Sequence, residues 1–352
     1  MKTNILVLSL SDQMGGAEQC LRLIAAQTNA QMLFLLSAKS SKLSEIDPEK
    51  AQYLSKSSLL MGFIRLPFAL YRYRNFTLVS SHAYLNAVIG IMGRVGYLKG
   101  VLIVRESTSI FERYNGLKKR LYLLLYRLGY PALDRVICQS NAMASQLLAN
   151  ATYLGENVVR VVPNPLNLDK ALVMAAIESS PVVGQYICAA GRLIAIKGFD
   201  LLIKAFSRLL VQHPDLRLVI LGAGPLHAEL NLLIKELGID KNVMLIGYQE
   251  NPYPYFKSAR VCVIPSIMEG FPNVLLQMMA VNDSVVSTRC AGGIEDIPGI
   301  IKVNPGSVNE LYAGLQEAML NKNPERSAMD AFLAERNPGA FIHNVFSGLP
   351  SN

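Results

Sequence analysis

The chemistry of this chain is most legible in Glu269-Gly270-Phe271-Pro272-Asn273-Val274-Leu275-Leu276-Gln277, where a carboxylate in a Gly/Pro loop runs straight into a helical segment. A helix start exposes unpaired N–H groups and a positive dipole end, which suit the phosphates and hydroxyls of a sugar nucleotide. Upstream, Gly191-Arg192-Leu193 directly follows an apolar run, and Lys197-Gly198 precedes a helical pattern. A forked guanidinium and a point-charge ammonium therefore share one strand-to-helix loop, a combination that matches a diphosphate leaving group. Gly222-Ala223-Gly224-Pro225, Gly247 and Ser266 to Gly270 close the next three expected strands. Small and charged residues thus line one sheet edge, where open α/β sheets bind ligands. Together they describe the wall of an anion-binding cleft.

The first half carries weaker signals. Ser11-Asp12-Gln13-Met14-Gly15-Gly16-Ala17-Glu18 joins an apolar run to a helical pattern, and a double glycine there lets backbone approach a phosphate or sugar closely. It lacks the Gly-x-Gly-x-x-Gly spacing of a dinucleotide site, so a nicotinamide or flavin cofactor is disfavoured. Ser81-His82 follows another apolar run, which makes His82 a candidate contact for a sugar or an acceptor, although a lone His is as often structural. The chain has no Asp-x-Asp, and its four histidines lie far apart, so no bound metal is implied.

Bulk properties bound the architecture. At 352 residues the chain suits two domains, each large enough to bury its own core. Apolar residues make up 51% and charged ones only 17%, yet no stretch offers the roughly 20 apolar residues of a spanning helix. The start reads as a first strand, without a cleavage signal. Five scattered cysteines with no Cys-x-x-Cys pair suit a reducing cytosol and argue against structural zinc. The net charge of +8 concentrates in two apolar, basic stretches, residues 59–74 and 117–130, which can rest on an anionic membrane surface or serve as ordinary amphipathic helices. No groove-binding motif or Lys-rich run points to nucleic acid.

Short apolar runs alternate with helical patterns almost throughout, which predicts α/β architecture with parallel sheets. Strands are expected at 4–10, 31–36, 77–80, 101–104, 135–138 and 158–162 in the first half. In the second half they are expected at 185–190, 217–221, 243–246, 261–264 and 284–287. Pro163-Asn164-Pro165 forms the natural hinge between the halves. The expected domains are 1–167 and 168–330, with 331–352 as terminal helices crossing back to the first.

Gly191-Arg-Leu-x-x-x-Lys197-Gly198, Gly222-x-Gly224-Pro225 and Ser266-x-x-Glu269-Gly270-Phe271-Pro272-Asn273, in this order and spacing, resemble the donor domain of family 4 glycosyltransferases over about 185–297. Gly15-Gly16-Ala17-Glu18, Ser140-Asn141 and Val162-Pro163-Asn164-Pro165 extend the resemblance over the first half. It implies the GT-B fold: two Rossmann-like domains facing each other across a cleft, acceptor on the first and nucleotide sugar on the second. The implied reaction is retaining transfer of a hexose or N-acetylhexosamine, from a nucleoside diphosphate such as uridine diphosphate (UDP), without a metal. Arg192 and Lys197 would neutralise the diphosphate, and Glu269 would hold sugar hydroxyls beside the anomeric carbon. Gly15, Gly16, Gly191, Gly222, Gly224, Gly247 and the residues from Gly270 to Leu275 would surround the donor.

The chain departs from the family pattern at two places. Gln277 stands where a second glutamate would grip the ribose, which exchanges a charge-assisted hydrogen bond for a neutral one. Arg105-Glu106 stands where many relatives carry a His near the reaction centre, and Glu106 is the first-domain carboxylate ranked highest, above Asp12 and Glu18. With the basic stretches, the resemblance leads to the expectation of a lipid-linked glycan acceptor in O-antigen or capsule assembly, on the inner face of the cytoplasmic membrane. A catalytically silent nucleotide-sugar-binding protein and a nucleotide-sugar epimerase are the alternatives.

Overall fold

The computed structural model describes residues 4–13, 15–37, 48–107, 111, 114–320 and 325–349. The chain divides into two units: residues up to Pro165 together with those from Pro338 onward, and Leu166 to Asn337.

The first unit is built on a parallel sheet in the order β3-β2-β1-β4-β5-β6-β7. Its strands are β1 (Ile5–Ser11), β2 (Gln31–Leu36), β3 (Ala51–Tyr53), β4 (Thr77–Ser80), β5 (Leu102–Arg105), β6 (Arg135–Cys138) and β7 (Val159–Val161). Period-two alternation sends successive side chains to opposite faces. Leu6 and Leu8 join the core that also holds Leu66, Leu85 and Tyr126, whereas Val7 joins the opposite core with Leu21, Ile24 and Phe34. Helix α1 (Gly16–Thr28) covers the second face, while α2 (Leu59–Tyr71), α3 (Ala83–Arg94), α4 (Gly116–Gly129) and α5 (Asn141–Asn150) cover the first. The helices α3 and α4 cross so closely that a Cβ on Gly90 would lie 2.2 Å from the Gly129 carbonyl oxygen.

The second unit repeats the plan with the parallel order β10-β9-β8-β11-β12-β13. Here the strands are β8 (Tyr186–Ala190), β9 (Arg217–Leu221), β10 (Val243–Gly247), β11 (Val261–Ile264), β12 (Val285–Thr288) and β13 (Ile301–Val303). Both faces are apolar: Ile187, Leu218 and Val263 pack on one side, Cys188, Val219 and Cys262 on the other. Helices α6 (Leu168–Ile177), α7 (Phe199–Leu209), α8 (His227–Glu236), α9 (Tyr253–Ser258), α10 (Asn273–Val281), α11 (Val308–Leu320) and α12 (Arg326–Ala334) flank the sheet.

Two boundaries differ from the sequence expectation. The second unit runs on to Asn337, past residue 330, because Met329 and Leu333 of α12 are buried in its core. Only α13 (Pro338–Phe346) returns to the first unit, where Phe341 and Val345 join the core beside Leu21 and Phe34. There Arg135 and Arg160 donate to the Val345 and Ser347 carbonyls at 2.7 and 2.9 Å. The short edge strands β3 and β13 were not expected.

Candidate functional site

In each sheet the strand order reverses at one point, between β8 and β11 in the second unit and between β1 and β4 in the first. Crossovers depart in opposite directions there, which opens a crevice beyond the carboxyl ends of the two strands.

At the second-unit reversal the loop after β8 carries Arg192 and Lys197, and the loop after β11 carries Ser266 and Glu269. Lys197 Nζ lies 2.5 Å from Glu269 Oε1, and Ser266 Oγ donates to the same oxygen at 2.7 Å. Both charged side chains are mostly buried, and the Glu269 and Ile267 N–H groups donate to the Cys290 and Ile196 carbonyls at 2.7 and 2.8 Å. Two residues 72 positions apart are thus clamped across the reversal, while Arg192 beside them is exposed. Burial, then the Glu269 charge, pushes the Cys290 thiol up to about 12, so it contributes no nucleophile.

Glu269 is followed by Gly270, Phe271 and Pro272, and α10 begins at Asn273. Pro272 supplies no side-chain cap, so backbone N–H groups of the first turn, Val274 among them, point toward the end that favours an anion. Half-buried Gln277 lies one turn beyond Asn273.

The glycines of this edge have a structural reason of their own. A Cβ on Gly222 would lie 1.9 Å from the Gly191 carbonyl oxygen, and one on Gly224 would lie 2.4 Å from that of Leu193. Gly191 and Gly222 N–H already donate to Leu221 and Gly247 carbonyls at 2.9 and 2.7 Å. These two amides therefore have no hydrogen left for a phosphate, and their contribution to the edge is space. Gly247 borders open space.

At the first-unit reversal, Gly15 precedes α1 and Gly16 opens it; His82 precedes α3. His82 Nε2 lies 3.0 Å from Glu18 Oε1. The structure does not place Glu106 beside them at the surface. Glu106 is 4% exposed, with Tyr126 donating to Oε2 at 2.7 Å, Tyr130 donating to Oε1 and Asn86 Nδ2 donating to Oε1 at 3.4 Å. Burial pushes its carboxyl up, against these hydrogen bonds and the nearby Arg105 charge, which pull it down. With both oxygens engaged under the sheet edge, Glu106 is a structural anchor, which corrects its ranking as a catalytic carboxylate. Arg105, equally buried, donates to Ser81 Oγ at 3.3 Å and to Asn164 Oδ1. Sequence reasoning took Asn164 as part of a hinge and of a motif extending the resemblance, with no contact assigned; its amide also donates to Gln139 at 3.2 Å. No periodicity could reveal partners separated by 59 and 25 positions.

Among the described residues no group of three or more His, Cys, Asp or Glu side chains could hold a metal ion. Nor is any helix of these residues long and apolar enough to cross a membrane.

Two doubly wound parallel sheets, with a charged edge at the reversal of the second, make up the GT-B fold. Residues 184–321 match the family described as glycosyl transferases group 1. The chain is 29% identical over 344 residues, 93% of its own length and 92% of the relative's, to the N-acetylgalactosamine-N,N'-diacetylbacillosaminyl-diphospho-undecaprenol 4-alpha-N-acetylgalactosaminyltransferase of Campylobacter jejuni. It is also 29% identical over 197 residues, 53% of this chain and 54% of the relative, to the lipopolysaccharide core biosynthesis glycosyltransferase LpsE of Rhizobium meliloti. The crystal structure of Anabaena HepE in complex with UDP and glucose has the same fold, with a TM-score of 0.79 at 17% identity, covering 97% of this chain and 98% of that one.

Proposed function

We propose that this glycosyltransferase moves a hexose or N-acetylhexosamine from a UDP-sugar to a lipid-linked glycan during surface-polysaccharide assembly, with retention at the anomeric carbon. The observation that carries the donor assignment is the Lys197–Glu269 clamp at the second-unit reversal, with Arg192 and the start of α10 beside it. In this reading Arg192 and Lys197 take the diphosphate charge without a metal ion, and fixed donors stabilise the charge that builds on the leaving group. Glu269 turns its second oxygen to the sugar, and Gln277 accepts from a ribose hydroxyl. The second unit is then the donor domain, and the first holds the acceptor.

The lipid-linked acceptor is supported by the Campylobacter relative, whose name specifies a diphospho-undecaprenol substrate. A surface feature of the first unit agrees with it. Leu60, Ile64, Phe68 and Tyr71 of α2 and Leu117, Leu121, Leu124 and Leu128 of α4 are all exposed, each set at helical spacing. Residues 59–76 and 114–130 contain seven Lys or Arg and no acidic residue. Apolar side chains among unopposed cations suit an anionic lipid surface, onto which the chain docks peripherally.

The test incubates the protein with a panel of UDP-sugars and a polyprenyl-diphosphate-linked hexosamine, scoring UDP release and label in the lipid fraction. Labelled lipid with UDP release is the expected result, and retention is read from the anomeric coupling constant of the product. UDP release that the lipid does not stimulate would overturn the acceptor assignment. Flotation with phosphatidylglycerol vesicles at low salt should carry the protein upward, and failure to float would overturn lipid docking.

A further inference from the structure

We infer that Glu269 makes this site prefer a UDP-sugar to UDP: its carboxylate opposes the bare diphosphate and is compensated only where a sugar hydroxyl donates to it. This rests on the donor reading above and adds what governs the release of UDP from the same edge.

Lys197 and Glu269 form a pair of opposite charges, with Nζ 2.5 Å from Oε1 and both side chains mostly buried. A phosphate oxygen that accepts from the same ammonium stands within about 5 Å of that carboxylate. Largely withdrawn from water, the two anions repel each other there. Of the two cations in the loop after β8, Lys197 is therefore partly cancelled, and exposed Arg192 has no carboxylate partner among the described residues. The neighbouring Cys290 thiol registers the same imbalance. Burial and then the Glu269 charge push it up, while Lys197 acts the other way and less strongly.

Glu269 cannot turn away when a phosphate arrives. Ser266 Oγ donates to Oε1 at 2.7 Å, and the Glu269 N–H donates to the Cys290 carbonyl at 2.7 Å. The Ser266 carbonyl in turn accepts from the buried Thr288 hydroxyl. Ile267 N–H donates to the Ile196 carbonyl at 2.8 Å, across to the loop that carries Lys197. The loops after β8, β11 and β12 are thus tied together around the carboxylate.

The two oxygens of Glu269 are used unequally. Oε1 takes both side-chain donors, Lys197 and Ser266, and Oε2 takes none among the described residues. The terminal phosphate of UDP offers only negatively charged acceptor oxygens, so it leaves Oε2 unpaired and adds repulsion. A hexose on that phosphate offers hydroxyl donors, and a charge-assisted hydrogen bond offsets the repulsion. Once the sugar is transferred, UDP keeps the repulsion and loses the compensation. Affinity differences between related complexes lie mainly in dissociation, so Glu269 shortens the stay of the product.

The experiment titrates the full chain calorimetrically with UDP, with the methyl ester of UDP, and with UDP-glucose, UDP-galactose and their N-acetylhexosamine counterparts. The methyl ester matches the charge of a UDP-sugar and has no hydroxyl in place of the sugar. Glu269→Gln should bind UDP and its methyl ester about tenfold more tightly than the wild type, a screened share of the repulsion at such a distance, while the tightest UDP-sugar gains nothing. Glu269→Ala should move UDP affinity in the same direction, which keeps the test decisive if the Gln variant fails to fold. Glu269→Asp, which keeps the charge, should bind UDP within about threefold of the wild type. A methyl-ester affinity that is unchanged or weaker in Glu269→Gln overturns the inference, as does a UDP-sugar that tightens equally or an Asp variant that tightens UDP as Gln does. Lys197→Ala separates this from the donor reading, since it should weaken UDP by about tenfold through a lost charge-assisted bond. UDP weakened by Lys197→Ala but unaffected by Glu269→Gln removes the inference alone. UDP unaffected by Lys197→Ala removes the donor reading and the inference with it.

Discussion

The two units place a carboxylate and a basic side chain across the reversal of a parallel sheet, but they support that pair differently. In the second unit Lys197 and Glu269 stand over buried hydroxyls, those of Ser266, Ser287 and Thr288, and no charged side chain of its described residues is buried. In the first unit Glu18 and His82 stand near a buried polar layer that includes Arg105, Glu106, Asn86, Gln139 and Asn164. The difference separates two ways of preorganising a site. The second edge is shaped by glycine backbones packed on one another, with Lys197 and Glu269 mostly buried beside an exposed Arg192. The first is held by buried side-chain hydrogen bonds, in which Arg105 Nε is left without a partner among the described residues.

The comparison breaks most readily at Lys197. Lys197→Ala should lower turnover by about 100- to 1,000-fold through lost stabilisation of the leaving diphosphate, measured as UDP release at saturating donor. Near-normal kinetics would reduce the second-unit pair to a structural ion pair.

Backbone packing is the next point of attack. Gly222→Ala forces a Cβ onto the Gly191 carbonyl at a φ of 139°, and should cost about 3 kcal/mol. Hydrogen exchange should show the loss in the second unit and spare the first. Unchanged protection would mean that the glycine serves ligand approach alone.

Glu106 tests the buried layer. Its carboxyl is raised above the ordinary 4.5, so between that value and the raised one the folded state binds more protons than the unfolded. Its contribution is therefore complete below 4.5 and is lost as pH rises through the raised value. Urea denaturation of the wild type and Glu106→Gln should shift in favour of the Gln variant between about pH 5 and pH 8. A parallel pair of pH profiles would show that burial does not govern this carboxyl. The smallest effect is expected at Gln277, where Gln277→Glu should tighten UDP binding by up to about 1 kcal/mol in a calorimetric titration. Unchanged affinity would make Gln277 a helix residue without a ribose contact.

Much of this protein is legible along the chain. Strands 31–36, 77–80, 135–138, 217–221 and 261–264 fall where the apolar runs predict them, because a strand buried on both faces must be apolar throughout. The charged edge of the second sheet is equally legible, since strand end, turn and helix start follow one another within a few residues around Arg192, Lys197 and Glu269. Among the strands only β3 and β13 escaped, along with the allocation of α12 to the second core.

What the sequence determined by itself is therefore local: alternating elements, two sheets, and which residues stand at their carboxyl ends. The tertiary structure alone decided which of those residues meet. It joined Lys197 to Glu269 across 72 positions and Glu18 to His82 across 64, and it removed Glu106 from the surface. The physical reason is that strand order and burial belong to the packed sheet, and a carboxylate's role depends on whether its oxygens face water or neighbouring hydroxyls.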